Sequence, residues 1–278
     1  MKICIDDATG SPVPEMAVAE FGALARVHEA MGAGRFSVPE PMVLREQAAE
    51  IVIEWIDGLT LRQELARRPF SAANAERLCS LAGQWLNAFH GARVLPPGAL
   101  DLDDKLAQVH AMAETRPVPD RLFRSAVEFL CEAAALAGRP RLPRSWIHGD
   151  FKPDNLMLSG DRVVGVDVHA SFENVVVYDL ASFLNQLALF LCSPRFVLLR
   201  ISSERLRTVF CREYGLDADP AVRLALQWVM LFQLLDMWRS AEAASRSLPR
   251  RVGLRFLVRT SCGALLKEAR STLESLAR

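Results

Sequence analysis

A chain of 278 residues, 51% of them apolar, can bury a real core, as one large domain or two modest ones. Lysine plus arginine equal aspartate plus glutamate at 33 each, which excludes a general attraction to nucleic acid or an anionic membrane and leaves any charged ligand to local groups. The six cysteines (Cys4, Cys79, Cys131, Cys192, Cys211 and Cys262) form no CxxC pair, so zinc and redox motifs are not indicated and reduced thiols in a cytoplasm are expected.

Strand signals dominate residues 1–57. Met1, Ile3 and Ile5 alternate with Lys2 and Cys4, the pattern of a half-buried strand. The same stretch turns acidic at Asp6 and Asp7 before any apolar run, unlike a signal peptide. A helix follows: Pro14 suits its first turn, Glu15 its positive end, and Gly32 and Gly34 close it after Met31. Residues 42–45 and 51–55 flank 46–50 like the arms of a hairpin.

From Gly58 onward the pattern is mainly helical. Ser71 is a good N-cap for a helix whose Leu78, Leu81, Trp85 and Phe89 recur at helical spacing, with Gly91 at the C-cap position. Residues 139–144 read as a stiff, basic connector. A hairpin is predicted over 156–167, turning at Ser159-Gly160-Asp161. The apolar stretches 183–201 and 224–238 are interrupted by Asn185, Gln186, Pro194 and Arg195, and by Gln227, Gln233 and Asp236, so both read as buried helices and not as membrane spans.

The chemistry concentrates around one octamer. Phosphoryl transfer to an alcohol needs a carboxylate to accept the hydroxyl proton, and a second carboxylate with a neutral amide to hold magnesium on the phosphates. Asp150, Asp167 and Asn155 are the right types. Pro153 keeps the 150–155 loop from being helical, and the hairpin returns Asp167 beside it.

His148-Gly149-Asp150-Phe151-Lys152-Pro153-Asp154-Asn155 resembles the catalytic loop of protein kinases, and more closely that of the aminoglycoside phosphotransferase and choline kinase-like family. The resemblance implies an α+β, bilobal protein-kinase-like fold, with a small, truncated β-rich N-lobe over residues 1–57 and a large, mainly helical C-lobe over 58–278. It makes Asp150 the base, Lys152 a counter-charge to the transferring phosphate, Asn155 and Asp167 magnesium ligands, and His148 a brace. Tyr178-Asp179-Leu180-Ala181 matches the family's Y-D-L-A segment, whose aspartate anchors the catalytic loop. Lys2 stands where the family's phosphate-touching lysine would be and Glu20 where its partner glutamate would be. Glu20 also shares a helix face with Met16 and Leu24, so an inward carboxylate there needs a cation. Glu54-Trp55-Ile56 resembles the hinge whose backbone holds adenine. Gly149 replaces the arginine of many protein kinases and Asp167 is followed by Val168-His169, which points to a small-molecule acceptor.

The chain begins at the lysine strand, without the family's glycine-rich hairpin; the two explanations are a start placed too late or a true loss of the lid over the phosphates. The expected activity is transfer of the γ-phosphate of ATP, or of GTP, to a hydroxyl of a metabolite, sugar or aminoglycoside-like acceptor, with magnesium, in the cytoplasm, with no nucleic acid as partner and no membrane span. Two alternatives stand beside it: a metal-dependent hydrolase using His148, Asp150, Asp154, Asp167 and His169, or a pseudokinase nucleotide-binding module. Asp236 shares a helix face with Gln233 and Ser240 and reads as that helix's wet side; His90 and His169 read as packing or loop residues.

Overall fold

The computed structural model describes residues 2–5, 11–68, 71–114, 120–169, 172–192, 203–216, 219–243 and 248–278, with backbone alone for Lys2, 241–243 and 248–251. It has the mixed α+β architecture expected. In chain order the first part comprises β1 (Lys2–Ile3), α1 (Pro14–Met31), β2 (Phe36–Ser37), β3 (Pro41–Arg45) and β4 (Glu50–Ile53). A three-stranded sheet in the order β1-β4-β3 is antiparallel throughout, and Ile51 stands opposite both Lys2 and Leu44. Between β3 and β4 a short 3-10 turn ends at Ala49, whose φ of 51° is left-handed. Trp55, placed in the second hairpin arm by its sequence pattern, lies beyond the end of β4.

The small lobe's core is slight: Cys4, Ala17, Ala49 and Ile51 are buried, with Phe21, Leu44 and Ile53 against them. Here the alternation of the first strand is corrected. Cys4 is the buried residue, while Ile3 and Ile5 are each 46% exposed. The pairing with β4 and the hydrogen bond from Cys4 N–H to Ala49 C=O, at 2.9 Å, turn the thiol toward α1, and period-two geometry then sends both isoleucines to the other face. Farther along α1, Ala23, Leu24 and Val27 join the main core, so this one helix packs on both lobes.

The second part opens with β5 (Leu59–Thr60) and α2 (Leu61–Arg67), started by a capping box between Thr60 and Gln63, which satisfies two orphan donors reciprocally. Next come α3 (Ala72–Gly91), β6 (Leu95–Gly98), α4 (Asp103–Glu114), α5 (Arg121–Ala137), β7 (Leu142–Trp146), β8 (Leu156–Ser159), β9 (Arg162–Gly165), β10 (Glu173–Val175), α6 (Val177–Leu191), α7 (Ser203–Tyr214), α8 (Pro220–Ala243) and α9 (Leu248–Leu276). Ser71 Oγ accepts the amide of Asn74 at 3.2 Å, as its N-cap role requires, but Gly91 is the last helical residue, and the cap is Ala92 in a right-handed conformation. The stretch read as a connector enters a strand at Leu142. Both apolar segments supply buried helices, α6 and α8; residues 193–201 lie outside the described residues. No described helix is long and apolar enough to cross a membrane.

A four-stranded sheet, β2-β9-β8-β5, joins the two parts. Behind it runs a ladder of stacked rings: Phe89 on Trp85 (5.3 Å), Trp85 on Phe151 (5.4 Å), Phe151 on Phe183 (5.1 Å) and Phe183 on Phe210 (4.6 Å). Such pairs contribute beyond their buried area. Because Phe151 is fully buried within it, the ladder ties the loop around Asp150 to α3, α6 and α7.

Candidate active site

The hairpin β8–β9 is in register from Leu156 opposite Gly165 to Ser159 opposite Arg162, and it turns at Gly160, whose φ is 61°. Its base is closed by Val166 N–H donating to the carbonyl of Asn155 at 2.9 Å. Asp167, the next residue, is therefore brought beside the loop, as expected. It holds a left-handed φ of 59°, a region aspartate tolerates better than most residues and which costs roughly 1–3 kcal/mol. Strain of this kind persists only where the surroundings dictate it.

On the loop, Lys152 Nζ donates to the Asp150 carboxylate. Asn155 Nδ2 donates to the Asp150 carbonyl at 2.9 Å and to Asp150 Oδ2 at 3.3 Å, which leaves the amide oxygen of Asn155 as an acceptor on its other side. Asp150, Lys152, Asn155 and Asp167 are thus gathered by one loop and one hairpin. An amide oxygen and a carboxylate are hard donors of the kind magnesium takes.

Asp179, in the first turn of α6 and 1% exposed, holds this loop from below. It accepts the amide of His148 at 2.6 Å and that of Gly149 at 3.1 Å, and His90 Nε2 lies 3.2 Å from Oδ2. His90 Nδ1 in turn meets the Tyr214 hydroxyl at 2.9 Å. Gly149 sits at φ +86°, where a side chain would be strained; this lets both neighbouring amides point at one carboxylate.

His148 is buried among Trp85, Phe89 and Phe151, and neither ring nitrogen has a partner among the described residues. Burial holds its pKa below the ordinary imidazole value, because an imidazolium would be desolvated there. A ring so enclosed braces the loop. Among the described residues, no group of three or more His, Cys, Asp or Glu is placed to hold a metal.

The small-lobe candidates distribute as follows. The side chain of Lys2 lies outside the described residues; its backbone is in β1. Glu20 accepts from the Cys4 thiol at 3.5 Å, and both line a pocket of about 310 Å³ that also takes in Ile3, Met16 and His169. The pocket sets the Glu20 face of α1 against the segment following Asp167. Glu54 accepts two bonds from Arg162, at 2.8 and 3.3 Å, and its own amide donates to Glu40 C=O at 2.8 Å. The Arg162 guanidinium holds the Glu54 carboxyl below the usual carboxylate range. Trp55 is 87% exposed and Ile56 is buried. Asp236 pairs with Arg239 on the outer side of α8, at 2.7 Å.

Sequence reasoning missed Arg62, Arg162 and the His90–Tyr214 pair. Arg62 Nη1 bonds Asp154 Oδ2 at 3.2 Å, and its guanidinium lies 4.7 Å from the centre of the Phe190 ring. An arginine in the first turn of α2 gave no local signal.

Comparison with known proteins identifies relatives in sequence and in fold. The chain is 32% identical over 156 residues to homoserine kinases of Pseudomonas aeruginosa, a match covering 53% of this chain and 48% of theirs, so it spans about half the length of the curated relatives it matches. A choline/ethanolamine kinase family protein from Mesorhizobium loti superposes with a TM-score of 0.65 at 18% identity, over 93% of this chain and 82% of that one. An aminoglycoside phosphotransferase solved as a ternary complex with AMP-PNP and hygromycin B superposes at 0.57 and 15% identity, over 90% and 84%. At these identities the solved structures establish the shared fold alone. The model of the phosphotransferase enzyme family matches residues 9–226, most of the chain with the loop at 148–155 and the β8–β9 hairpin inside it, and the chain therefore belongs to that family.

Proposed function

We propose that this protein transfers the γ-phosphate of ATP, with GTP as the other candidate donor, to a hydroxyl group of a small molecule in the cytoplasm. The observation that carries the proposal is the gathering of Asp150, Lys152 and Asn155 on a loop whose backbone is held by buried Asp179, with Asp167 returned beside that loop by the β8–β9 hairpin. Asp150 takes the acceptor's proton as the hydroxyl attacks, a contribution of typically 10²–10⁴-fold. Lys152, already on Asp150, lies where a cation can answer charge on the transferring phosphate. Asn155 and Asp167 supply the oxygen donors for magnesium, which when bound neutralises phosphate charge. Lys2 and Glu20 take the α- and β-phosphate end of the nucleotide, and the backbone from Glu54 to Ile56 takes adenine. The Glu54 amide is already engaged with Glu40, so the donors left for the base come from Trp55 and Ile56. The division into 1–57 and 58–278 follows as the two walls of the nucleotide cleft.

Nucleotide consumption with a panel of hydroxylated metabolites, sugars and aminoglycosides tests the reading. Asp150→Asn should lose at least a hundredfold in kcat while still binding nucleotide, and Asp167→Ala should lose the magnesium dependence. Equal turnover by wild type and both variants would overturn it.

A further inference from the structure

We propose that the acceptor is an amino alcohol that also carries a carboxylate, and that Arg62 and Asp154 read its two charges. The inference rests on the kinase reading and deepens it by naming the acceptor class. Asp154 lies in the catalytic loop, between Lys152 and Asn155, both of which bond to Asp150; its own carboxylate bonds instead to Arg62 of α2, at 3.2 Å. The two side chains remain 43% and 49% exposed, and the guanidinium rests over the Phe190 ring at 4.7 Å. A cation, an anion and an aromatic face are thus presented together at the loop that carries the base. Asp154 lies four positions after Asp150, a span of at most about 14 Å even in extended chain, and the 3-10 turn at Pro153–Asn155 shortens it. A small acceptor with its hydroxyl at Asp150 can therefore place its far end here.

Charge decides which far end fits. An ion pair this exposed adds little to stability, so parting it is cheap, provided that each partner is answered. A zwitterion answers both: its carboxylate takes the planar fork of Arg62 and its ammonium takes Asp154. A neutral sugar would leave both charges unanswered, and a simple cation would leave Arg62 facing a like charge. The Phe190 ring, 4.7 Å from the guanidinium, attracts the cation and lowers the cost of ordering it.

The test uses the full chain with ATP and magnesium, comparing L-homoserine and L-serine with their decarboxylated counterparts, 3-aminopropan-1-ol and ethanolamine, and with glucosamine. A carboxylated acceptor should be preferred at least tenfold in kcat/KM. Arg62→Gln should raise KM for that acceptor ten- to a hundredfold with most of the effect in KM, and bring the ratio between carboxylated and decarboxylated acceptors close to one. Asp154→Asn should raise KM for the amines as a group. Calorimetric titration of L-homoserine and of 3-aminopropan-1-ol into wild type and Arg62→Gln gives a readout that needs no turnover. Equal handling of carboxylated and decarboxylated compounds would overturn the inference, as would an Arg62→Gln variant that lowers kcat alike for every acceptor, the mark of a strap that only positions the loop. Failure of the kinase reading looks different: no acceptor is phosphorylated in an Asp150-dependent way, and the titrations then decide the site alone.

Discussion

The carboxylate of Asp179 accepts the backbone amide of His148 at 2.6 Å, deep enough that Asp179 is 1% exposed. A buried charge is tolerable only when hydrogen-bonded on most of its lone pairs, and here the Gly149 amide and His90 complete the set. The loop around Asp150 is therefore positioned by a group that is itself removed from solvent, and the first expectation concerns that group.

Asp179→Ala should lose about 1–3 kcal/mol of stability for each buried donor left without its acceptor, the usual cost of an unsatisfied buried polar group. Asp179→Asn keeps the shape, and should fold while losing activity because one amide donor would then face another. Thermal denaturation together with phosphoryl transfer separates the two effects.

His148 gives a pH dependence. Its folded pKa lies below the ordinary imidazole value because it is buried. Below about pH 6.5 the unfolded chain binds a proton at this position that the folded chain does not. Stability should thus be full above that pH and fall as pH drops toward the folded pKa, by up to about 1.4 kcal/mol per unit. In His148→Phe, which keeps an aromatic ring in the same cage, urea midpoints measured between pH 7 and 5 should lose this component of the slope.

Glu54 and Arg162 join the segment proposed to hold adenine to the β8–β9 hairpin across 108 residues of sequence. Their side chains are partly exposed, so a double-mutant cycle with Glu54→Gln and Arg162→Gln should give a coupling of only about 0.5–1 kcal/mol. The Glu54 carboxyl is held low by Arg162, so this contribution is present above the unfolded carboxylate range and is lost as pH falls through the folded value. The larger effect should appear in the KM for nucleotide, because the pair fixes the segment carrying Trp55 and Ile56.

Gly165 admits no side chain. A Cβ there would come within 2.0 Å of Trp85 Cζ2, and Trp85 cannot retreat, since its Nε1 donates to the Ser37 carbonyl at 2.9 Å and its ring is stacked on both sides. Gly165→Ala should cost about 1–3 kcal/mol by overpacking. It should also weaken magnesium dependence, because Asp167 lies two residues farther along the same chain; metal titration of activity reads this directly.

The sequence by itself determined the features whose determinants are local. Pro153 and the polar run around it specify a loop, Ser159-Gly160-Asp161 a turn, and Ser71 a cap, because each depends on the backbone preferences of the residue concerned and its near neighbours. The hairpin then fixes Asp167 beside Asn155 through plain strand register. Only the tertiary structure decided the pairings between distant segments. Arg62 with Asp154, Arg162 with Glu54 and His90 with Asp179 stand 92, 108 and 89 residues apart, and no periodicity within a segment records which polar group will face it from another. The first strand teaches the same lesson: alternation gives two faces, but the partner strand and the helix behind it chose Cys4 over Ile3 and Ile5 for the inside. Chemistry was legible in the residue types of the loop, whereas the surroundings of those residues, including the charged pair proposed to recognise the acceptor, follow from how α2, β9 and α3 pack around it.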